Sequence, residues 1–253
     1  MCNSDFNAAE AAKQTIAWLQ QWFHENGKDC NAVIGISGGK DSTVAAALCV
    51  KALGPDRVIG VLMPNGEQHD IKDSYRVCEL LGIQPITVNI HSTCKTLKHA
   101  IKPQLQDRWS KQTSVNMPAR IRMTTLYAVS QTLNGRVINT CNYSEDYIGY
   151  STRYGDSAGD VSPLGKFTVH EVIAIGEALE LPAELVKKAP SDGLCGMTDE
   201  DNFGFTYQML DDYIRYGKEP ASDVKEKIDH LHVKNEFKLK TIPTFDYFTD
   251  GQS

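Results

Sequence analysis

Along the chain, apolar positions switch between two spacings, and the switches predict the order of elements. From Asn7 to Asn26, Trp18, Leu19, Trp22 and Phe23 recur every three or four residues, predicting a helix closed by Gly27. That aromatic stripe reads as core or as a subunit contact. An uncharged run from Ala32 to Ile36 predicts a buried strand. Thr43 to Ala52, rich in helix formers and free of breakers, predicts a helix. The alternation continues with a strand over 57–64, a helix over 71–82, a strand over 84–90 and a long helical tract broken near Pro103. A helix over 116–135, a strand over 136–141 and a helix over 168–181, stopped by Pro182, follow. Such alternation predicts an α/β fold, a parallel sheet flanked by helices. From about Ser222 the chain turns Lys-rich and less periodic, and reads as a less regular tail, either a mobile lid or a solvated end.

In parallel sheets, ligands bind beyond the C-terminal ends of the strands. Two polar stretches fall there, "SGGKDS" after the first strand and "CNYSED" after the fourth. The first joins a strand, two adjacent glycines and a helix N-terminus. Free N–H groups and the helix dipole converge there, which suits phosphate. It is not a Walker loop, which ends a longer glycine loop in Gly-Lys-Ser/Thr. A glycine turn of purely structural purpose explains Ser37-Gly38-Gly39 equally well, but not Asp41. A carboxylate inside a phosphate turn repels the anion unless a cation lies between them, and an all-oxygen donor set suits magnesium. Glu145, just past the fourth strand, is the second carboxylate that two neighbouring strand ends bring to the same cation.

Composition narrows the field. The 253 residues suffice for one sizeable core, and 41% hydrophobic with 23% charged residues is the balance of a soluble globular protein. A net charge of −6 argues against a nonspecific nucleic-acid or anionic-membrane surface, and no apolar run reaches spanning length. Seven cysteines are scattered singly, without Cys-x-x-Cys spacing. Zinc and dithiol chemistry are therefore not indicated, and the odd count without a signal-peptide pattern fits a reducing cytoplasm.

Two further stretches are rich in glycine and polar groups, "GYSTRYGDSAGDVSPLG" (149–165) and "PSDGLCGMTDEDNFGFTY" (190–207). The second has the length and glycine content of a mobile site cover, and an exposed linker with a helix N-cap at Thr198 or Asp199 fits it as well. Arg120 and Arg122 share a predicted helix, and their guanidinium forks match carboxylate and phosphate.

Taken together, these motifs resemble a known family. "GISGGKDS" resembles the pyrophosphate-binding loop of the N-type ATP pyrophosphatases. "PARIRMTTLYA", "INTCNYSEDYIGYSTRYGD", "GDVSPLG" and "APSDGLCGMTDEDNFGFTY" resemble, in order, the motifs of NAD synthetases. The likeness runs from about residue 30 to 216 and implies a Rossmann-like sheet of the adenine nucleotide alpha hydrolase kind. Without a nitrilase-type glutaminase domain, residues 1–253 resemble the short, ammonia-dependent form as a single domain. The resemblance implies ATP-dependent amidation of deamido-NAD, with Mg2+, by a cytoplasmic homodimer, through adenylation of the nicotinate carboxylate and its displacement by ammonia. It further implies that Gly35, Ile36, Ser37, Gly38, Gly39, Lys40, Asp41 and Ser42 hold the ATP phosphates, and that Asp41 and Glu145 bind the metal. Gln68, Thr140 and Thr198 match ATP contacts, and Arg120, Arg153, Asp160 and Lys238 match contacts to deamido-NAD.

Three positions depart from the family pattern. Arg153 stands where a lysine is usual, Val169 where a phosphate-contacting lysine is usual, and Phe237 where a His-Lys pair begins, leaving Lys238. The departures raise the alternatives of a different carboxylic acid substrate or a weakly active nucleotide-binding relative. Lys166, three residues before Val169, is the nearby cation that could replace the missing lysine if the helix has begun by then.

Overall fold

The computed structural model describes residues 6–106, 108–188 and 199–245. Helix α1 (Ala8–Asn26) is capped by the Asn7 side chain, which accepts from the Glu10 N–H, and it ends at Gly27. Strands β1 (Asn31–Gly35), β2 (Val58–Leu62), β3 (Pro85–Thr87) and β4 (Gly135–Val137) form one sheet, ordered β3-β2-β1-β4, with every pair parallel. Helices α2 (Lys40–Leu53), α3 (Ile71–Leu81), α4 (His91–Ile101) and α5 (Lys111–Thr132) make the crossovers. The chain then forms α6 (Tyr143–Ile148), α7 (Val169–Ala178), α8 (Ala183–Val186), α9 (Asp199–Phe203), α10 (Tyr207–Tyr216) and α11 (Ser222–Asn235).

Side-chain alternation along β1 splits the core into two layers. Ala32 and Ile34 pack with α1, α2 and α7, whereas Val33 packs on the other face with Val61, Ile90 and Ile121. Helix α2 is buried continuously from Ser42 to Cys49, which explains its small side chains. In α1, Leu19 and Phe23 are core, while Trp18 remains at the surface.

Two expectations are corrected. Strands β3 and β4 are shorter than 84–90 and 136–141. After β4 the chain continues only through an isolated bridge between Ile138 and Val161 before turning into the site. The segment expected to be less regular forms α11, whose Val224, Ile228 and Leu231 pack against Ile148 and Leu210. Gly149 makes that docking feasible. It ends α6 with φ +64°, and a Cβ there would lie 2.1 Å from the Asn235 Cβ. Among the described residues, no helix is long and apolar enough to cross a membrane.

Candidate functional site

The sheet order reverses at β1, with β2 on one side and β4 on the other, so the loops after β1 and β4 leave in different directions and open a crevice. Gly38 makes the first loop with φ +78°. A Cβ there would meet Asp73 Cβ and Ser74 N at 2.9 Å, so only glycine fits this turn. Hydroxyls lock the loop onto itself. The Ser37 N–H donates to Ser42 Oγ (3.3 Å), and Thr43 Oγ1 donates to the Gly39 carbonyl (2.8 Å). The second loop enters α6 through Asn142, whose Oδ1 accepts from the Glu145 N–H (3.0 Å) and whose Nδ2 donates to Asp41 Oδ1 (3.1 Å). One asparagine thus holds the Asp41 carboxylate and the backbone of Glu145.

Between the loops lies an open cavity of about 170 Å³, lined by Ser37, Gly39, Asp41, Ser42, Thr140 and Glu145 from the sequence-based set. Cys141 and Asp156 also line it and were not in that set. Burial, and after it the neighbouring Asp41 charge, push the Glu145 carboxyl well above its ordinary value, while Lys40 opposes the shift. Asp199 adds a third negative charge to this group. Asp156 comes from the loop after α6 and Asp199 from the start of α9, far from Asp41 in sequence, which no local pattern reveals. Lys40 is buried, with Nζ 2.9 Å from Asp41 Oδ2.

Other sequence candidates lie apart from this cavity. Gln68 Nε2 donates to Asp70 Oδ1 (2.9 Å). Lys166 holds its amine 5.8 Å from the centre of the Tyr143 ring, and the helix that would have placed it one turn from Val169 starts only after Thr168. The helical route from Lys166 to the phosphates is therefore absent. Val169 itself is buried against Ile148, Phe203 and Tyr207. Asp160 lines a second cavity beside Asn139 and Asp146, but both its oxygens are engaged, by Tyr127 Oη (3.2 Å) and the Val137 N–H (2.7 Å). Thr198 lies outside the described residues.

The remaining candidates meet at the end of the chain. Arg120 Nε donates to the Arg153 carbonyl (3.3 Å). Lys238 Nζ donates to the carbonyls of Gly149 (2.7 Å) and Ser151 (3.2 Å), which ties the segment after α11 to the loop after α6. The Arg153 guanidinium lies 5.0 Å from the Tyr154 ring centre and 5.6 Å from that of Phe237, and it donates to the Lys240 carbonyl (3.2 Å). Two of the three family departures, Arg153 and Phe237, are thus in contact with each other.

Helix α6, which carries Glu145, is anchored from behind. Ser144 Oγ donates to Asp211 Oδ1 (2.5 Å) and accepts from the Val169 N–H (3.0 Å). His170 reaches Asp211 Oδ2 through its backbone N–H (3.1 Å) and Nδ1 (2.7 Å). The hydrogen bond to Asp211 raises the His170 pKa above 6.5, helped by the charges of Asp211, Asp212 and Glu200 and opposed by burial. A raised pKa means that the protonated ring contributes stability below about pH 6.5, and that this contribution is lost as pH rises through the folded-state value. The imidazole is nearly half exposed, so solvent screens the effect to a small one. In thermal melts, the gap between wild type and His170→Gln is expected to be widest in mild acid and to close towards pH 9. A gap that widens with pH would contradict this pairing.

Comparison with known proteins places these features. The NAD synthase family matches residues 11–243. The NH(3)-dependent NAD(+) synthetase of Alkaliphilus metalliredigens is 38% identical over 232 residues, covering 88% of this chain and 93% of the relative. That of Thermococcus kodakarensis is 40% identical over 206 residues, covering 81% and 79%. Among solved structures, the NMN synthetase of Francisella tularensis superposes with a TM-score of 0.87 at 34% identity, covering 96% of this chain and all of that one. The NH3-dependent NAD synthetase of Campylobacter jejuni superposes at 0.76 with 26% identity, covering 95% and 100%. A parallel sheet with a glycine turn at its reversal point, a match over most of the length and these relatives agree, and the chain belongs to the NAD synthase family.

Proposed function

We propose that this protein, acting as a single domain of its family, amidates deamido-NAD with ammonia at the cost of ATP. The observation that carries the reading is the meeting of the β1 and β4 loops at the sheet reversal, with Asp41 and Glu145 in one cavity. A nicotinate carboxylate oxygen attacks the α-phosphorus of ATP, the bond to the bridging oxygen breaks and pyrophosphate leaves. Ammonia then attacks the acyl carbon, the bond to the AMP oxygen breaks, and a proton is lost to give the amide. The loop from Gly35 to Ser42 and the N-terminus of α2 hold phosphate through backbone N–H groups. Arg120 and Arg153 provide guanidinium forks for the acyl substrate.

The carboxylates of Asp41 and Glu145 form a hard, all-oxygen donor pair, which fits Mg2+. Among the described residues no three His, Cys, Asp or Glu side chains form a complete cage, so the remaining ligands would have to come from outside the protein. Bound there, the metal would supply positive charge against the phosphates. We further read the protein as a homodimer of the cytoplasm. Its five described cysteines are free buried thiols, which suits a reducing compartment. Sedimentation at micromolar concentration checks the dimer. The activity is checked by incubating the protein with ATP, Mg2+ and deamido-NAD, and supplying nitrogen as ammonium or as glutamine freed of ammonia. Ammonium is expected to support the amide product with matching pyrophosphate, and equal rates with glutamine would refute the nitrogen source.

One observation favours a second reading of the acyl substrate, nicotinate mononucleotide. Arg153 and Phe237 contact each other, and a similar solved structure is an NMN synthetase. A guanidinium near two aromatic rings offers a planar fork of N–H donors. It suits the terminal phosphate of a mononucleotide, with charge near −2, better than the singly charged bridging phosphates of a dinucleotide.

A further inference from the structure

Asp41 has both carboxylate oxygens engaged from within the chain, Oδ2 by Lys40 Nζ (2.9 Å) and Oδ1 by Asn142 Nδ2 (3.1 Å). Each oxygen keeps a further lone pair, but a cation that takes Asp41 Oδ2 comes up against the Lys40 ammonium 2.9 Å away, and the two positive charges repel. Lys40 is 4% exposed, an unusual place for an ammonium. Its Nζ lies 5.7 Å from the centre of the Tyr207 ring, and the Tyr207 hydroxyl donates to Asp199 Oδ2 (3.2 Å). Lys40 thus lies near the Tyr207 ring and feels the charges of Asp41, Glu145 and Asp199. Three carboxylates and one ammonium carry −2 when all are ionised, as they would be around a bound divalent cation, whose charge cancels it.

We propose that Lys40 is a resident counter-cation, which holds Asp41 and balances the three carboxylates until a divalent metal displaces its ammonium from Asp41. The inference rests on the reading that Asp41 and Glu145 hold that metal. The reason for the arrangement is electrostatic. Carboxylates grouped in a poorly solvated place repel one another, and a buried ion pair stripped of one partner is strongly unfavourable. Lys40 supplies the missing charge from the first position of α2, so the site keeps its shape without metal. It also makes metal binding an exchange, +2 for a +1 that moves aside. The ammonium then faces the glycine turn, where the phosphates are read to lie.

The test measures metal on the protein, not turnover. Mn2+ is titrated into the apo protein without ATP, and free Mn2+ is followed by its electron paramagnetic resonance signal. Lys40→Met, which keeps the length and removes the charge, is expected to bind Mn2+ at least tenfold more tightly than wild type. It is also expected to melt at a lower temperature without metal and to recover on adding Mg2+, since a ligand that binds only the folded state stabilises it. Unchanged or weaker Mn2+ binding by folded Lys40→Met overturns the proposal. Asp41→Asn separates the two levels. Mn2+ binding that does not depend on Asp41 refutes the metal reading and the Lys40 role with it, whereas Asp41-dependent binding that Lys40→Met fails to tighten refutes the Lys40 role alone. Should Lys40→Met not fold, the wild type provides the answer. Acetic anhydride labelling of Lys40, read by mass spectrometry, is expected to rise severalfold on adding Mg2+, and no rise overturns the proposal.

Discussion

Asp41→Asn is expected to lower ATP-dependent pyrophosphate release by about 10²–10³-fold, the scale for removing one group that stabilises charge in a transition state. Glu145→Gln is expected to fall in the same range, because both side chains line the same cavity. Their effects on stability differ. Asp41→Asn leaves the buried Lys40 without its 2.9 Å partner and lowers the melting temperature. Glu145→Gln removes a carboxyl that burial and Asp41 already drive towards its neutral form, so the fold is retained or slightly gains. Steady-state pyrophosphate release with parallel thermal melts checks both halves. Near wild-type Mg2+-dependent turnover in either variant contradicts the metal assignment.

The second large effect concerns substrate choice. In the double variant Arg153→Lys/Phe237→His, the kcat/KM for deamido-NAD relative to nicotinate mononucleotide is expected to rise about tenfold, or ~1.4 kcal/mol, the scale of one charge-assisted contact. The change removes the guanidinium that lies 5.0 and 5.6 Å from the Tyr154 and Phe237 ring centres and puts a flexible point charge in its place. Each single variant is expected to shift the ratio less, because the two residues are in contact and their effects do not add. A ratio unmoved in the double variant removes the support for the mononucleotide reading.

Particular elements show what was legible in the sequence. The β1–turn–α2 unit was clear because three local signals agree: an uncharged β-branched run, a glycine that must adopt φ +78°, and a helix of good formers. The family motifs identified the fold class for the same reason. Helix α11 was missed because its apolar face is only Val224, Ile228 and Leu231, spaced four and three apart within a run of charged residues. The spacing was present, but it had meaning only once α6 and α10 supplied the surface to cover. Asp156 and Asp199 were missed as members of the site because a loop and a helix start far from Asp41 in sequence bring them there. Lys166 had the opposite fault. Sequence distance made it a neighbour of Val169, and the capping box of Thr168 and Glu171 starts the helix too late for that. The contact between Arg153 and Phe237 spans 84 positions, a pairing that requires the folded tail.

In the proposed reaction the carboxylate of the acyl substrate becomes bonded to the α-phosphorus of ATP before ammonia enters. It is tested most directly by isotope transfer. The acyl substrate carries ¹⁸O in its nicotinate carboxylate, turnover proceeds with ATP, Mg2+ and ammonium, and the products are weighed by mass spectrometry. One ¹⁸O is expected in AMP and none in pyrophosphate. Label in inorganic phosphate, or ADP as the nucleotide product, would contradict it.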